Sequence, residues 1–128
     1  MAEKYYVEVD DGGKFWHAWP GTEHTLHRLD GPAVEWSDGS REWYQNGQLH
    51  RVDGPAFERS DGYCAWFQNG RLHSERGPAV IDEKGAKEYW LNGVQHTEAA
   101  WRAATQPAVE MTIAEIEAAL GKRVKVVK

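Results

Sequence analysis

Short segments that contain aromatic or aliphatic residues, each bounded by turn residues, make up most of the chain. Residues 32–36 and 41–45 are two such segments, and a Ser-Asp-Gly-Ser sequence separates them. Short β-compatible segments between turn signals are typical of β-strands, in which successive side chains point to opposite faces. The Asn-Gly pair that follows, at 46–47, is the strongest short hairpin signal. The pattern therefore predicts two strands and a hairpin turn in each unit of the chain.

The unit recurs with a period of 23 residues. A segment reading HRLDGPA begins at His27, returns as HRVDGPA at His50 and, altered, as HSERGPA at His73, and His96 begins a fourth unit. The Asn-Gly pairs and the aromatic pairs keep the same spacing. Because proline lacks a backbone donor, we expect each Gly-Pro to interrupt the ladder of hydrogen bonds.

The whole chain, at 128 residues, has the length of one domain. We expect it to divide into an N-terminal half repeat (1–26), three 23-residue repeats (27–95), a partial repeat with a helical insertion (96–110) and a C-terminal cap (111–128). Thr97 is the predicted N-cap of the inserted helix. In the cap, Thr112 and Glu115 form a capping box, and valines at 124, 126 and 127 predict a final strand. Because the last unit of a repeat array has no neighbour, we expect residues 111–128 to cover its open face.

We expect aromatic side chains to supply more of the buried apolar surface than aliphatic ones. The chain has seven Trp, five Tyr and three Phe beside 13 Gly. Each aromatic side chain removes about 150–250 Å² from water, so a thin sheet can be stable without a thick aliphatic core. The predicted fold class is mainly β: an antiparallel meander of hairpin repeats with a short C-terminal helix–strand cap.

The charge and the cysteine count exclude several kinds of partner and site. Fifteen Lys and Arg against 20 Asp and Glu leave a net charge of −5, which argues against direct nucleic-acid binding and against an anionic membrane surface. No apolar run approaches the ~20 residues of a membrane span. The single cysteine, Cys64, excludes an internal disulfide and a Cys-rich zinc site. Since the N-terminus has no signal-peptide pattern, the expected location is the cytoplasm.

The landmarks of one unit resemble a known repeat family. Residues 43–50 (WYQNGQLH), then Gly54 and the Asp-Gly at 61–62, resemble the MORN repeat. The HRxDGPA segment, in place of the usual His-Gly-x-Gly, is closer to the MORN-variant repeats of bacterial and bacteriophage proteins. The cap also resembles a tail of small phage proteins. The resemblance implies a ribbon of antiparallel hairpins and protein–protein contacts.

The repeated polar residues are the first candidate site. Equivalent histidines in a two-strand repeat lie about 9.5 Å apart, too far to share one zinc ion, so no metal site is predicted. We expect each ring to form a hydrogen bond inside its own unit, to an aspartate or a turn carbonyl. The arginine and aspartate two residues apart should form an ion pair. The candidate polar residues are His27, Arg28, Asp30, His50, Arg51, Asp53 and His73.

The repeated aromatic residues are the second candidate site. Neighbours in a strand face opposite ways, so the aromatic pairs should form two stripes, one on each face of the sheet. Either both stripes pack inside the protein, or one is exposed and forms an interface. The candidate anchors are Trp36, Trp43, Tyr44, Trp66, Phe67, Tyr89 and Trp90.

No catalytic motif or cofactor motif is recognisable, and no catalytic residue is predicted. The leading hypothesis is a non-enzymatic binding protein. The resemblance implies that it is phage-encoded, that it occupies the surface of a host protein and that it thereby inhibits an antiviral defence. One alternative is a small-ligand binder, such as a sponge for a nucleotide signal, which stacks a base on tryptophan and holds phosphate with Arg28 or Arg51. A structural spacer is another, and an exposed edge or stripe could be buried in a homodimer.

Overall fold

The computed structural model describes residues 4–19, 25–106 and 112–121. An N-terminal hairpin consists of β1 (Lys4–Asp10) and β2 (Gly13–Trp19). The strands that follow are β3 (Val34–Trp36), β4 (Arg41–Glu42), β5 (Tyr44–Gln45), β6 (Gln48–Leu49), β7 (Phe57–Glu58), β8 (Cys64–Ala65), β9 (Phe67–Gln68), β10 (Arg71–Leu72), β11 (Val80–Ile81), β12 (Lys87–Leu91) and β13 (Val94–His96). Two helices complete the described chain, α1 (Glu98–Thr105) and α2 (Ile113–Leu120).

Nine strands form one antiparallel meander. Their order across the sheet is β1-β2-β3-β4-β7-β8-β11-β12-β13, which follows the order of the chain. The pairs β5–β6 and β9–β10 are short hairpins outside this sheet. The predicted fold class, a mainly β antiparallel meander with a short C-terminal helix, is confirmed. The predicted final strand over 124–127 and the partial repeat at 107–110 lie outside the described residues.

The second strand of each early unit is broken at its tryptophan. The N–H of Trp43 donates to the carbonyl of Ala56 at 2.7 Å, and the next position across the ladder is Pro55, which has no N–H. The chain therefore leaves the meander and forms a separate hairpin. The strand predicted over 41–45 is β4 and β5 with a gap, and the strand predicted over 32–36 begins only at Val34.

The Asn-Gly turns have the geometry that their sequence predicts. Asn46, Asn69 and Asn92 have φ of 51°, 52° and 49°, and the glycine after each also has a positive φ. Both central residues of a type I′ turn need such angles. The glycine N–H of each turn donates to a leucine carbonyl of the preceding segment, for example Gly70 to Leu49 at 2.9 Å. The hairpins are therefore stacked in a second row beside the meander.

The core is built from small side chains and one large one. Ala33, Ala56 and Ala79 are fully buried, and valines at 34 and 80 lie between the strands. Trp101 on α1 is only 2% exposed. Because α1 packs on β12 and β13, this helix covers the C-terminal edge of the meander.

The prediction that residues 111–128 cover the open end of the sheet stays a prediction, because residues 122–128 of this segment lie outside the described residues. Two of the apolar residues of α2, Ile113 and Leu120, are exposed. Both predicted helix N-caps are confirmed. The hydroxyl of Thr97 accepts a hydrogen bond from Ala100 N–H, and the hydroxyl of Thr112 accepts one from Glu115 N–H, each at 3.1 Å. No helix among the described residues has the length and apolarity to cross a bilayer.

Candidate binding surfaces

The repeated histidines join the hairpins of the second row. Nδ1 of each ring accepts a hydrogen bond, at 3.0 Å, from the backbone N–H of the asparagine 19 residues further on: His27 from Asn46, His50 from Asn69 and His73 from Asn92. The bond lies inside the 23-residue unit, as predicted. The predicted partner, an aspartate or a carbonyl, is wrong, because the turn of the next hairpin presents its N–H to the ring. The neutral ring therefore carries its proton on Nε2.

Two arginines lie flat on tryptophans. The guanidinium of Arg28 is 4.1 Å from the ring centroid of Trp16, and that of Arg51 is 4.0 Å from that of Trp43. Cation–π contacts of this kind stabilise a fold by about 0.5–2 kcal/mol each, the larger values where water is excluded. Trp16 stands in the N-terminal hairpin where later units have Trp43, so the pattern extends to the start of the described chain.

The same arginines also form the predicted ion pairs. Nε of Arg28 donates to Asp30 at 2.9 Å, and Nε of Arg51 donates to Asp53 at 3.2 Å. Each Nη1 donates in addition to the carbonyl of the proline four residues on, at 3.1 Å and 3.0 Å respectively. Each guanidinium therefore holds its own HRxDGPA loop closed against the sheet.

A groove of about 420 Å³ lies between the first two loops, and we refer to it as the loop groove. Its lining includes Arg28, Asp30, Trp43, His50, Arg51 and Asp53. The structure thus brings together most of the predicted polar residues. However, both aspartate side chains are largely exposed at the groove, and a face of Trp43 is already occupied by Arg51. A phosphate would meet two carboxylates there, and a base would have to displace the arginine.

The third unit replaces the arginine with Ser74, and the structure explains why. Ser74 is buried, and its carbonyl accepts a 2.7 Å hydrogen bond from Nε1 of Trp101. The Trp101 ring also packs on Tyr89, with centroids 5.1 Å apart. A small residue stands at this position because α1 packs there. Within the described ranges, this arginine-on-tryptophan arrangement is formed by Arg28 and Arg51, the second residues of the first and second units, on the tryptophan of the preceding unit.

Most of the predicted aromatic anchors are half-buried. Of the seven candidates only Trp36 is exposed, with 40% of its surface accessible. Trp43 lies between Arg41 and Arg51, and Tyr89 lies against Trp101. The remaining candidates, Tyr44, Trp66, Phe67 and Trp90, are half-buried as well. The two predicted stripes are therefore mainly packing, because the strand breaks at Trp43 and the loops and α1 cover much of both.

The exposed tryptophan belongs to a surface that we call the aromatic–acidic face, made of Phe15, Trp36, Glu42 and Phe57 together with the turn aspartates Asp38 and Asp61. Strand pairing places these residues on one side of the sheet, since Phe15 lies opposite Val34, Val34 opposite Glu42, and Glu42 opposite Phe57. Trp36 meets the edge of Phe15, with ring centroids 5.4 Å apart and planes at 88°.

Glu42 fixes the tryptophan in place. Its Oε2 accepts from Nε1 of Trp36 at 2.5 Å, and its Oε1 accepts from the phenol of Tyr44 at 3.0 Å. Burial, followed by the hydrogen bond to Glu42 and its charge, raises the pKa of Tyr44 to about 12. The indole therefore has a fixed orientation while much of its ring remains accessible.

The Asp-Gly turns add negative charge to this face. The pKa of Asp38 is lowered mainly by a hydrogen bond from the backbone of Ser40, and that of Asp61 mainly by one from the backbone of Tyr63. A groove of about 450 Å³ between the two turns is lined by Trp36, Glu42 and Phe57 as well as both aspartates. Arg59 also lines it and forms an ion pair with Asp61.

No group of three potential metal ligands occurs among the described residues. Cys64 is half-buried on β8, and burial raises the pKa of its thiol, so the thiolate is disfavoured. The Cys64 side chain therefore has a packing role on this strand.

Sequence reasoning missed Phe15, Phe57 and Glu42 as parts of the site. They do not recur as aromatic or acidic positions in every unit, so a search for repeated residues passes over them. Strand register is the signal that groups them, and the broken strands hide that register.

Comparisons of the chain with protein-family models, with curated proteins and with solved structures find no match, so the resemblance to MORN-variant repeats stays a prediction.

Proposed function

We propose that the protein is a non-enzymatic binding protein that uses its aromatic–acidic face to occupy the surface of a partner protein. The observation that supports this most is the state of Trp36: exposed, but fixed by Glu42 and by Phe15. An aromatic side chain that is already ordered loses little conformational entropy on binding. Tryptophan is also among the residues that most often dominate binding energy at protein interfaces.

The charges around Trp36 indicate the chemistry of the partner. Glu42, Asp38 and Asp61 lie around the accessible indole with one arginine, Arg59, which is paired with Asp61, and the chain carries a net charge of −5. Complementary potentials speed encounter and fix orientation. We therefore propose a partner surface that has an apolar pocket with a basic rim. Association should slow as ionic strength rises, because salt screens exposed charges.

The finer proposal concerns the biological setting, and it rests on the resemblance to phage repeat proteins. In that setting the partner would be a host protein, and a component of an antiviral defence would be inhibited when its surface is occupied. A rigid sheet that presents one anchored aromatic residue is suited to blocking a surface without chemistry.

The experiment compares the natural chain with Trp36→Ala and with a matched control, Val52→Ala. Val52 is also an exposed apolar residue, at 58%, but it lines the loop groove and not the groove of the aromatic–acidic face. Proteins captured from bacterial lysate by the natural chain are identified, purified and titrated against all three chains. We expect Trp36→Ala to weaken binding by about 30-fold or more, as a hot-spot truncation of ~2 kcal/mol does, and Val52→Ala to bind normally.

Each result has a definite meaning for the proposed surface. Equal affinity of all three folded chains would refute the role of the aromatic–acidic face. Loss of binding in both variants would point to unfolding, which a thermal melt of each variant detects. If a folded chain captures no partner, the proposal of a binding function fails and a structural spacer is favoured.

A second candidate function is a small-ligand site in the loop groove, because that groove gathers Arg28, Trp43, His50 and Arg51. Its test is a melting screen with nucleotides. A ligand at 100 times its dissociation constant adds about 2.7 kcal/mol to stability and raises the melting temperature. The rise should vanish in Arg51→Ala if the groove is the site. No rise with any nucleotide would eliminate this candidate.

A further inference from the structure

The N-terminal edge of the meander is long and apolar. β1 contains seven residues, whereas most strands of the sheet have two or three. Val7 is 41% exposed and Val9 68% exposed. Among the described residues, β2 pairs with one side of β1 and no strand pairs with the other. A long edge strand with exposed apolar side chains is a template for pairing with another strand.

The sequence of β1 is complementary to itself in one antiparallel register. With a two-fold axis at Val7, that residue faces its own copy, Tyr6 faces Glu8, and Lys4 faces Asp10. Opposite charges directly across a strand pair stabilise it, and like charges destabilise it. This register pairs all seven residues and places two Lys–Asp contacts at its ends.

The neighbouring registers are worse. Moving the axis to Glu8 places that carboxylate opposite its own copy. Moving it to Val9 places Glu8 opposite Asp10. Moving it to Tyr6 keeps an opposite-charge contact, Lys4 with Glu8, but leaves Val9 and Asp10 outside the pair and shortens the contact to five residues. Charge excludes the axes at Glu8 and Val9, and the length of the contact favours Val7 over Tyr6.

We propose that two copies of the chain pair through β1 across a two-fold axis at Val7, so that the two meanders form one continuous sheet. Val7 and Val9 lie on the same face of β1; in this register Val7 would meet its own copy and Val9 would meet Tyr5 of the second copy. A two-fold contact of this kind uses the same surface on both copies and closes, so it produces a dimer rather than a fibre. The proposal does not depend on the function of the aromatic–acidic face.

The first measurement is sedimentation velocity of the full chain from micromolar to millimolar concentration. We expect a shift from monomer to dimer, with no larger species. A monomer throughout this range would overturn the proposal.

The second measurement tests the register with two charge reversals. Lys4→Glu converts both end contacts to repulsive ones, and we expect it to raise the dimer dissociation constant by about 10-fold or more. Lys84→Glu makes the same change in net charge in an exposed turn far along the chain, and it should leave the constant unchanged. A dimer that is equally stable in both variants would refute this register.

Hydrogen exchange identifies what covers the edge. The amides of Val7 and Val9 should gain protection as the concentration rises, while those of β12 stay constant. If these amides are protected equally in the monomer, a segment of the same chain covers β1 and the dimer proposal is wrong. Val9→Lys, which places a charge on the edge, should abolish the concentration dependence while the melting temperature of the monomer is retained.

Discussion

The two ends of the meander deal differently with an open sheet edge. At the C-terminal end, α1 places Trp101 against Tyr89 and bonds it to the carbonyl of Ser74. At the N-terminal end, β1 exposes Val7 and Val9 and has no partner on its outer side among the described residues. At one end a helix packs on the last two strands through a single buried tryptophan. The other end has no such helix among the described residues, and it is the surface that we propose to form the dimer.

The comparison also explains the irregular third unit. Two loops are held by an arginine stacked on a tryptophan, and the third is held by a helix. Ser74 stands in place of the arginine because Trp101 needs the space. A departure from the repeat thus marks the place where the array ends.

The largest difference between the ends should be seen on removing a tryptophan from each. Trp101→Ala deletes the one large apolar side chain among the buried core residues that the structure describes, and we expect a loss of about 3–5 kcal/mol in the free energy of unfolding. The control Trp19→Ala removes a 58% exposed ring from the N-terminal hairpin and should cost less than about 1 kcal/mol. Urea unfolding measures both. Equal losses would show that α1 is not the main stabilising cap.

A smaller difference should separate two equivalent histidines. His73, near the capped end, is buried, whereas His50 is half-buried and its bond to Asn69 is solvent-exposed. His73→Leu leaves the Asn92 N–H without an acceptor in a partly buried place and should cost about 1–3 kcal/mol. His50→Leu should cost about 1 kcal/mol or less, because water can replace the ring. If His50→Leu loses more free energy of unfolding than His73→Leu, the expected difference between the two ends of the sheet is wrong.

The smallest effect concerns Tyr44 on β5, whose phenol donates a hydrogen bond to Glu42 of the aromatic–acidic face. The pKa of Tyr44 in the folded chain is raised to about 12, above its ordinary value of 10.0. The unfolded chain therefore loses this proton first, so the contribution of Tyr44 is intact below pH 10 and is lost as the pH rises to about 12. Water screens the half-exposed phenol, so we expect a loss of only about 1 kcal/mol.

Tyr44→Phe is the matched variant, since the second unit already has Phe67 at this position. Urea midpoints of both chains below pH 10 and near pH 12 isolate the contribution of the phenol from that of other titrating groups. The variant should lose less stability over this interval than the natural chain. An identical pH dependence would mean that the bond to Glu42 is not maintained in solution.

Local signals were enough to predict the individual elements. Asn-Gly required a turn with two positive φ angles, and the three turns have them. Thr97 and Thr112 predicted the N-caps of two helices, and α1 and α2 begin at the residues that follow them. These features depend on the conformations open to a few adjacent residues, so the sequence alone determines them.

Only the tertiary structure decided which faces are covered. The sequence showed aromatic pairs but not that Arg51 lies on Trp43 or that Trp101 closes the last unit. The sequence did not show that Phe15 contacts Trp36 or that Glu42 lies opposite Phe57. These pairs are determined by the register between strands, and the break at Trp43 hides that register in the sequence. Exposure depends on what packs from distant parts of the chain, and short-range pattern carries no information about it. The fold was therefore predictable from local residue preferences, while the candidate binding surface was decided by long-range packing.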